Sequence, residues 1–352
     1  MYSGTGTYGK PGFVYSAPQS AGTCGRRGLA ICMRFLTAAP GGHILLRMSR
    51  RAKGFAIAII GTTIWSTSAV LVAYLLTHHA MPALLLAFWR DLLVCVALVP
   101  ALALLARSAF RVREGQVRLF ALHGLILSAF NTVFTFSTQA NGAAVATVLM
   151  YSSAGFTVLL ARWLFKEELS PRKALAVALS LSGCVMVSNA YRPEMWRLNP
   201  VGVSTGLLSG LLFAAYSLMG KESARRRINP WTTLLYSFGF GSTFLLGLNL
   251  AAGLARGAGL CSAVVPDLTA VGWLTLIALS FVPTLLGYGL YNVSMSYLPA
   301  GVVNLIATTE PAMTAAEAYV LLGERMSVVQ IVGGLIILSA VLLVRGEKGT
   351  SH

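Results

Sequence analysis

Charge is scarce in this chain, and acidic charge scarcest: 27 Lys and Arg and 11 Asp and Glu make up 11% of its 352 residues. A soluble globular domain carries about 25%, so a water-facing surface of ordinary charge density cannot be assembled from these residues. That excludes a soluble enzyme and a nucleic-acid-binding module. The formal net charge is +16, yet phosphate binding needs basic residues gathered on one soluble face, and here they stand in short stretches between apolar runs. Cysteine is equally thin. Cys24, Cys32, Cys95, Cys184 and Cys261 are odd in number and lack metal-ligand spacing, which yields neither a disulfide framework nor a zinc site. Also missing are H-E-x-x-H, G-x-S-x-G and clustered aspartates for a metal diphosphate. No catalytic residue, metal or cofactor is expected.

What the chain has instead is hydrocarbon. Hydrophobic residues make up 56% and the mean hydropathy is +0.72, the composition of an all-α integral membrane protein. Residues 1–47 are Gly- and Ser-rich, and their one apolar patch is short and broken by Arg34. They read as a disordered or over-annotated extension, with Met48 as the favoured start. A bilayer core about 30 Å thick needs roughly 20 apolar residues at about 1.5 Å each. Ten runs meet that need: residues 54–76, 81–105, 119–139, 143–165, 174–190, 201–220, 231–254, 269–294, 301–322 and 328–344.

Basic residues stay on the cytoplasmic side of a membrane. With ten spans and the N-terminus inside, the cytoplasmic set is Arg50, Arg51 and Lys53, then Arg107, Arg111, Arg113 and Arg118, then Arg162, Lys166, Arg172 and Lys173, then Lys221, Arg225, Arg226 and Arg227, and finally Arg345 and Lys348. The opposite side has Arg192, Arg197, Arg256 and Arg325 only. Both termini are therefore expected in the cytoplasm of a multi-pass protein of the plasma or inner membrane.

The chain also repeats itself. Gly54, Ala58, Thr62 and Ser66 of the first run, with Trp65 beside the last, correspond to Gly202, Gly206, Gly210 and Ala214 of the sixth, with Phe213 in the same place. Lys166-Glu-Glu-Leu-Ser170 before the fifth run corresponds to Gly323-Glu-Arg-Met-Ser327 before the tenth. Residues 48–191 and 192–352 thus form two repeats of five spans. An odd number inverts the second, so ten transmembrane helices in a five-plus-five inverted repeat are expected, the design of alternating-access transporters.

At these residues the sequence resembles the EamA-type exporters of the drug/metabolite transporter superfamily. The likeness runs from Met48 to about Arg345. It is most specific in Ala307-Thr-Thr-Glu-Pro-Ala-Met313 followed by Leu321-Leu-Gly-Glu-Arg-Met-Ser327, similar to the family's E-P motif and following G-E-R-L-S; Phe88-Trp-Arg90 and Gly333 are weaker signs. The resemblance implies a ten-helix transporter of small metabolites, often amino acids, usually outward. The first repeat has Ala154-Gly155 where the second has Pro311-Ala312, so the fourth helix is expected to be less kinked than the ninth.

Polar groups inside such runs are candidates for transport. Glu310 stands nine residues into the ninth run, about 13 Å deep. A charge there costs about 2.5 kcal/mol or more; it binds a substrate amine, exchanges a proton, or bonds backbone freed by Pro311. Glu317 and Glu324 follow at seven-residue steps along one face. Glu317 extends a hydrated path or pairs with a basic group, whereas Glu324 with Ser327, like Glu167 with Ser170 and Pro171, suits the N-terminus of the next helix. Arg90 lies about 12 Å from the end of the second run, where an ion pair with Glu310 or Glu317 competes with snorkelling and with a clamp on a substrate carboxylate. Asp91, about 100° around the helix, faces elsewhere. Polar stripes pair across the repeats: Asn131 and Thr135 with Tyr288 and Asn292, and Thr147 and Tyr151 with Asn304 and Thr308. With Trp65, Phe213 and Tyr216 they are read as a cavity offering hydrogen bonds and ring faces. Small residues every fourth position on the first and sixth runs let backbones approach closely. His123 reads as packing.

The partners expected are a small-molecule substrate and the lipid bilayer, with no nucleic acid; the five-plus-five design needs no second chain, and a homodimer stays open. An antiporter of phosphorylated sugars or nucleotide sugars is the nearest rival, but it calls for several cationic cavity residues and only Arg90 is on hand. An intramembrane enzyme is the remote one.

Overall fold

The computed structural model describes residues 49–345 except 114, 142, 167–169, 196–199, 258–263 and 323–326. The Met48 start, the 1–47 extension and the Glu167 and Glu324 capping positions lie outside that set. Everything regular in it is helical, without a strand among the described residues. The helices are α1 Arg50–Ser66, α2 Ser68–His78, α3 Ala83–Leu105, α4 Gln116–Asn141, α5 Ala143–Tyr151, α6 Ser153–Phe165 and α7 Pro171–Val187, then α8 Pro200–Arg225, α9 Pro230–Ala255, α10 Ala270–Leu279, α11 Tyr288–Ser294, α12 Ala300–Ala307, α13 Glu310–Leu322 and α14 Val328–Arg345. A π-helical stretch, Ser280–Gly287, joins α10 to α11. Six stretches are long and apolar enough to cross a bilayer: Ala83–Leu105, Gln116–Ser137, Val145–Phe165, Pro200–Arg225, Pro230–Ala255 and Ala270–Ser294. Val328–Val344 is apolar but shorter.

Helix starts follow capping chemistry. Ser49 accepts from the Ala52 amide at 3.2 Å, Ser170 from the Lys173 amide at 3.2 Å with Pro171 next in line, and Asn229 from the Trp231 amide at 3.0 Å ahead of Pro230. Ser327 and Gln330 form a reciprocal capping box, the Gln330 amide donating to Ser327 Oγ and the Ser327 amide to Gln330 Oε1. Each satisfies amides that the first turn leaves free.

Helix interruptions follow a second rule. Where α1 gives way to α2 at Thr67, Ser66 donates to Thr63 O at 2.6 Å and Thr67 to Ile64 O at 2.8 Å. Where α5 gives way to α6, Ser152 donates to Leu149 O at 2.6 Å; between α12 and α13, Thr308 and Thr309 donate to Leu305 O and Ile306 O at 2.6 and 2.8 Å. Hydroxyls that return to a carbonyl three residues back compete with the main-chain ladder and bend it. Pro311 acts on the same break: it sits in the first turn of α13 and, having no amide, cannot bond the carbonyl of Ala307, where α12 ends. The fourth run is interrupted as well, but for the single residue Ser152, so that Val145–Phe165 still reads as one continuous span, whereas the ninth is interrupted over Thr308 and Thr309. In the π stretch Pro283 brings no amide, and Thr284 donates to Leu279 O, five residues back, at 2.8 Å.

Packing centres on α4, α8 and α9. α8 lies along α4 and against both α5 and α6; α9 lies between α3 and α4; α1 packs on the π stretch, α11, α12 and α13; α3 also touches the π stretch and α10; α12 meets α6; and α7 pairs with α14. Several crossings need a missing side chain. A Cβ on Gly210 of α8 would fall 2.4 Å from Ser152 Oγ and 3.0 Å from Met150 O, so the α5–α6 break is seated directly on bare backbone. On α7 a Cβ at Gly183 would fall 2.7 Å from Gly333 O of α14.

Candidate functional site

Two ionisable groups stand at helix interruptions. Glu310 opens α13 just after the Thr308–Thr309 turn, and Tyr151 closes α5 just before the Ser152 turn. The two meet in a short hydrogen bond, the Tyr151 hydroxyl donating to Glu310 Oε2. Tyr151 is 1% exposed. Each break frees backbone and lets its terminal side chain face inward, which is how two interrupted helices deliver a phenol and a carboxyl to one point. Two turns along α13, Glu317 Oε1 lies 2.6 Å from Ser66 Oγ at the end of α1.

Arg90 is held by residues of α3 and α4. Its Nη2 donates to Asn131 Oδ1 of α4 at 3.0 Å, and its Nε lies 3.5 Å from Asp91 Oδ1. The ion pair expected with Glu310 or Glu317 is therefore made with the next residue instead. Neighbouring Cβ atoms diverge by about 100° on a helix, but the arginine stem is long enough to fold its guanidinium back across that gap. Asp91 is wholly buried against α9, where a Cβ on Gly241 would lie 3.5 Å from Asp91 Oδ2. Thr135 returns its hydroxyl to Asn131 O at 2.8 Å.

A ring cluster fills the centre. Trp65 contacts Tyr288, Phe213 and Tyr291 with centroids at 4.4, 5.7 and 5.7 Å, and Tyr216 contacts both Phe213 and Tyr288. All five rings are at most 9% exposed. Their polar ends are occupied from within: Asn292 Nδ2 donates to Tyr216 Oη at 3.1 Å, and Tyr291 Oη lies 2.7 Å from Ser217 Oγ. Asn304 ties three elements, accepting from Ser153 at 3.1 Å and donating to Thr157 at 2.9 Å and Ser217 at 3.1 Å. Thr308 bonds Ser180 of α7.

The residues singled out from the sequence thus fall into three groups. Tyr151 and Glu310 stand at helix breaks, Glu317 inside α13 with its carboxyl against Ser66 at the end of α1, and Arg90, Asn131 and Thr135 along α3 and α4. Trp65, Tyr216, Tyr288, Asn292, Asn304 and Thr308 form the packed interior, and Thr147 of α5 is half-buried. His123 packs as expected, its Nδ1 3.2 Å from Ser237 Oγ and its ring 4.4 Å from that of Tyr216. Sequence reasoning missed Ser66, Asp91, Ser217 and Tyr291. A signal existed for Tyr291, three residues after Tyr288 and so on nearly the same helix face.

Comparison with known proteins bears on this arrangement. The pattern of the EamA-like transporter family matches twice, over residues 52–189 and 200–346. A probable amino-acid metabolite efflux pump of Salmonella typhimurium is 27% identical over 305 residues, 84% of this chain and 95% of its own length. A protein of the same name in Escherichia coli is 25% identical over 306 residues with the same shares, and an uncharacterized transporter of Archaeoglobus fulgidus is 28% identical over 224 residues, 63% of this chain and 75% of its own. A solved crystal structure aligns with a TM-score of 0.67 at 16% identity, covering 83% of this chain and 97% of that one, a likeness of fold alone.

Proposed function

The chain belongs to the EamA-like transporter family, and from that premise we propose that it exports small metabolites, amino acids or related amines first, by alternating access of two inverted five-span repeats. The crossings are α1–α2, α3, α4, α5–α6 and α7, then α8, α9, α10–α11, α12–α13 and α14. The neighbour relations support the repeat because they survive exchange of its halves. α8 on α4 becomes α1 on the π stretch and α11; α9 on α4 becomes α3 on α10 and the π stretch; α8 on α5–α6 becomes α1 on α12–α13. The pairs α3·α9, α6·α12 and α7·α14 map onto themselves. The basic residues favour cytoplasmic termini.

The observation that carries transport rather than scaffolding is the Tyr151–Glu310 pair. A carboxyl in mid-helix is expensive in a bilayer, and here two interrupted helices bring it to a phenol. Glu310 receives the substrate ammonium group and Arg90, steadied by Asp91 and Asn131, the carboxylate. Names of relatives point the same way: two proteins that align over 95% of their length are amino-acid metabolite efflux pumps by name. A phosphate-bearing substrate finds less support, since it calls for several cations and, among the described residues, Arg90 alone stands deep inside a span.

The test is mass spectrometry of culture medium from cells overproducing the protein beside an equally expressed Glu310→Gln control. Particular amino acids or amines accumulating outside with the unmutated chain alone are the expected result. Equal accumulation with both removes Glu310 from the mechanism.

A further inference from the structure

Five serine and threonine hydroxyls lie along α8, and four of them return to a carbonyl of their own helix. Ser204 and Thr205 donate to Val201 O at 3.0 and 2.7 Å, Ser209 to Gly206 O at 2.7 Å and Ser217 to Phe213 O at 2.9 Å. Hydroxyls inside helices are ordinarily satisfied this way. Ser223 is the exception: it is 2% exposed, and its Oγ has no hydrogen-bond partner. Asn292 of α11 is in the same position on one side only. Its amide hydrogens go to Tyr216 Oη and Tyr288 O at 3.1 and 3.0 Å, whereas its Oδ1 is buried with no donor.

Both residues line one crevice, with Gly220 and Ala224 of α8, Ile228 of the connection and Pro230 of α9. No charged side chain lines it among the described residues. The crevice is too narrow here for a water molecule, so a bridging solvent does not account for the two unpaired atoms. Bare backbone at Gly220 keeps the oxygen uncovered, since a Cβ there would fall 2.9 Å from Asn292 Oδ1. The next residue ties the walls together. Lys221 Nζ donates to Met295 O at 3.1 Å and Leu298 O at 2.8 Å, carbonyls just past the end of α11, where a cation is favoured. The crevice lies where α8 runs into Arg225, Arg226 and Arg227, the cytoplasmic end in the topology above. Asn292, through Tyr216, places it one hydrogen bond from the ring cluster.

We propose that this crevice is a loading site for the exported molecule, separate from the Tyr151–Glu310 pair and kept shut by Lys221. The assignment rests on the export reading above. The site takes a small α-amino acid with an apolar side chain. Asn292 Oδ1, an acceptor only, receives the ammonium group, and the Ser223 hydroxyl donates to the carboxylate; Ala224, Ile228 and Pro230 face the side chain. A buried donor and a buried acceptor that go unpaired while the crevice is shut are paired when it fills, so the ligand favours the open form by that difference. Neutral groups hold a zwitterion less tightly than charged partners do, which suits a step that must pass the molecule on.

The test reads binding rather than transport. Ala224→Cys, in a chain whose own cysteines are replaced by alanine, puts a thiol on the crevice wall and leaves Ser223 and Asn292 in place. Its modification by a maleimide is timed on the purified protein in detergent, alone and with valine, valine amide or the matching 2-oxo acid. Valine and its amide are expected to slow the reaction severalfold, and the 2-oxo acid, which has no ammonium group, to leave it unchanged. Lys221→Met should speed the unliganded reaction about tenfold and lower the valine concentration for half-protection by about the same factor, because more of the protein is open. Gly220→Ala, whose methyl group covers the Asn292 oxygen, should abolish protection while the protein still elutes as a single species on gel filtration. Labelling that valine does not slow, that the 2-oxo acid slows equally, or that Lys221→Met leaves unchanged overturns the loading site, as does protection that survives in Gly220→Ala. Export persisting in the culture-medium assay beside such a result leaves the transport reading standing, and protection by valine without export does the reverse.

Discussion

Replacing Gly183 by alanine adds one methyl group at the crossing of α7 and α14, and the geometry says what it meets. The new Cβ falls 2.7 Å from Gly333 O and 2.6 Å from Ile337 Cγ1. Carbon approaches a carbonyl oxygen comfortably at about 3.3 Å, so the two helices must part by roughly 0.6 Å, and main chain cannot turn aside as a side chain does. Overpacking of this kind costs about 1–3 kcal/mol. Gly247 of α9 supplies the control, because nothing lies within 4 Å of the position of its Cβ. Both changes share the same gain from restricting the unfolded chain, about 0.4–1 kcal/mol. That gain cancels in the comparison, and Gly183→Ala should unfold more easily than Gly247→Ala by about 1–3 kcal/mol. Equilibrium unfolding by steric trapping, in a bilayer mimic, measures the gap directly. Equal stabilities would refute the bare-backbone crossing.

Two further substitutions read the buried polar groups. Asp91→Asn leaves the Arg90 guanidinium without its counter-charge and should cost about 3–5 kcal/mol, most of it recovered in the Arg90→Gln/Asp91→Asn double variant; thermal unfolding in detergent measures both, and a double variant no more stable than the single one would show that the charges are not coupled. Asn304→Ala withdraws bonds from Ser153, Thr157 and Ser217 together and should lose about 2–3 kcal/mol at roughly 1 kcal/mol per bond. An unchanged unfolding midpoint would show that the three hydroxyls find other partners.

Much of the helical plan was legible in the sequence because apolar length and helix caps are local properties. Ser170 with Pro171 and Ser327 mark helix starts that the structure places within a residue or two. The interruptions were harder. Pro311 marked the break in the ninth run, where it acts together with the Thr308 and Thr309 hydroxyls, but nothing in Ala154-Gly155 marked the turn at Ser152 in the fourth, because Ser returns its hydroxyl to a carbonyl only where the surrounding packing tolerates a bend. Arg90 and Asp91 show a different limit. Helical angles separate their Cβ atoms, and only the three-dimensional path of a long side chain reveals that they pair. Of the candidate site, the residue types at Tyr151, Glu310 and Glu317 were visible as polar positions in apolar runs. Their partners across the bundle, Tyr151 for Glu310 and Ser66 for Glu317, depend on which helices adjoin, and no spacing within one helix encodes that.

The five rings around Trp65 have an electrical consequence. Where they touch, ring packs on ring and the tyrosine hydroxyls are bonded from within by Asn292 and Ser217, which makes a layer with little room for water. A membrane potential of 100 mV is worth about 2.3 kcal/mol per unit charge, and it falls across the layer that lacks water, so the ring layer bears most of the field. On the proposed export reading, a solute crossing at this level requires a ring to swing aside, and for that interval the packing is opened. The dwell time of one indole, which touches three of the other four rings, then fixes how much leak accompanies each molecule carried.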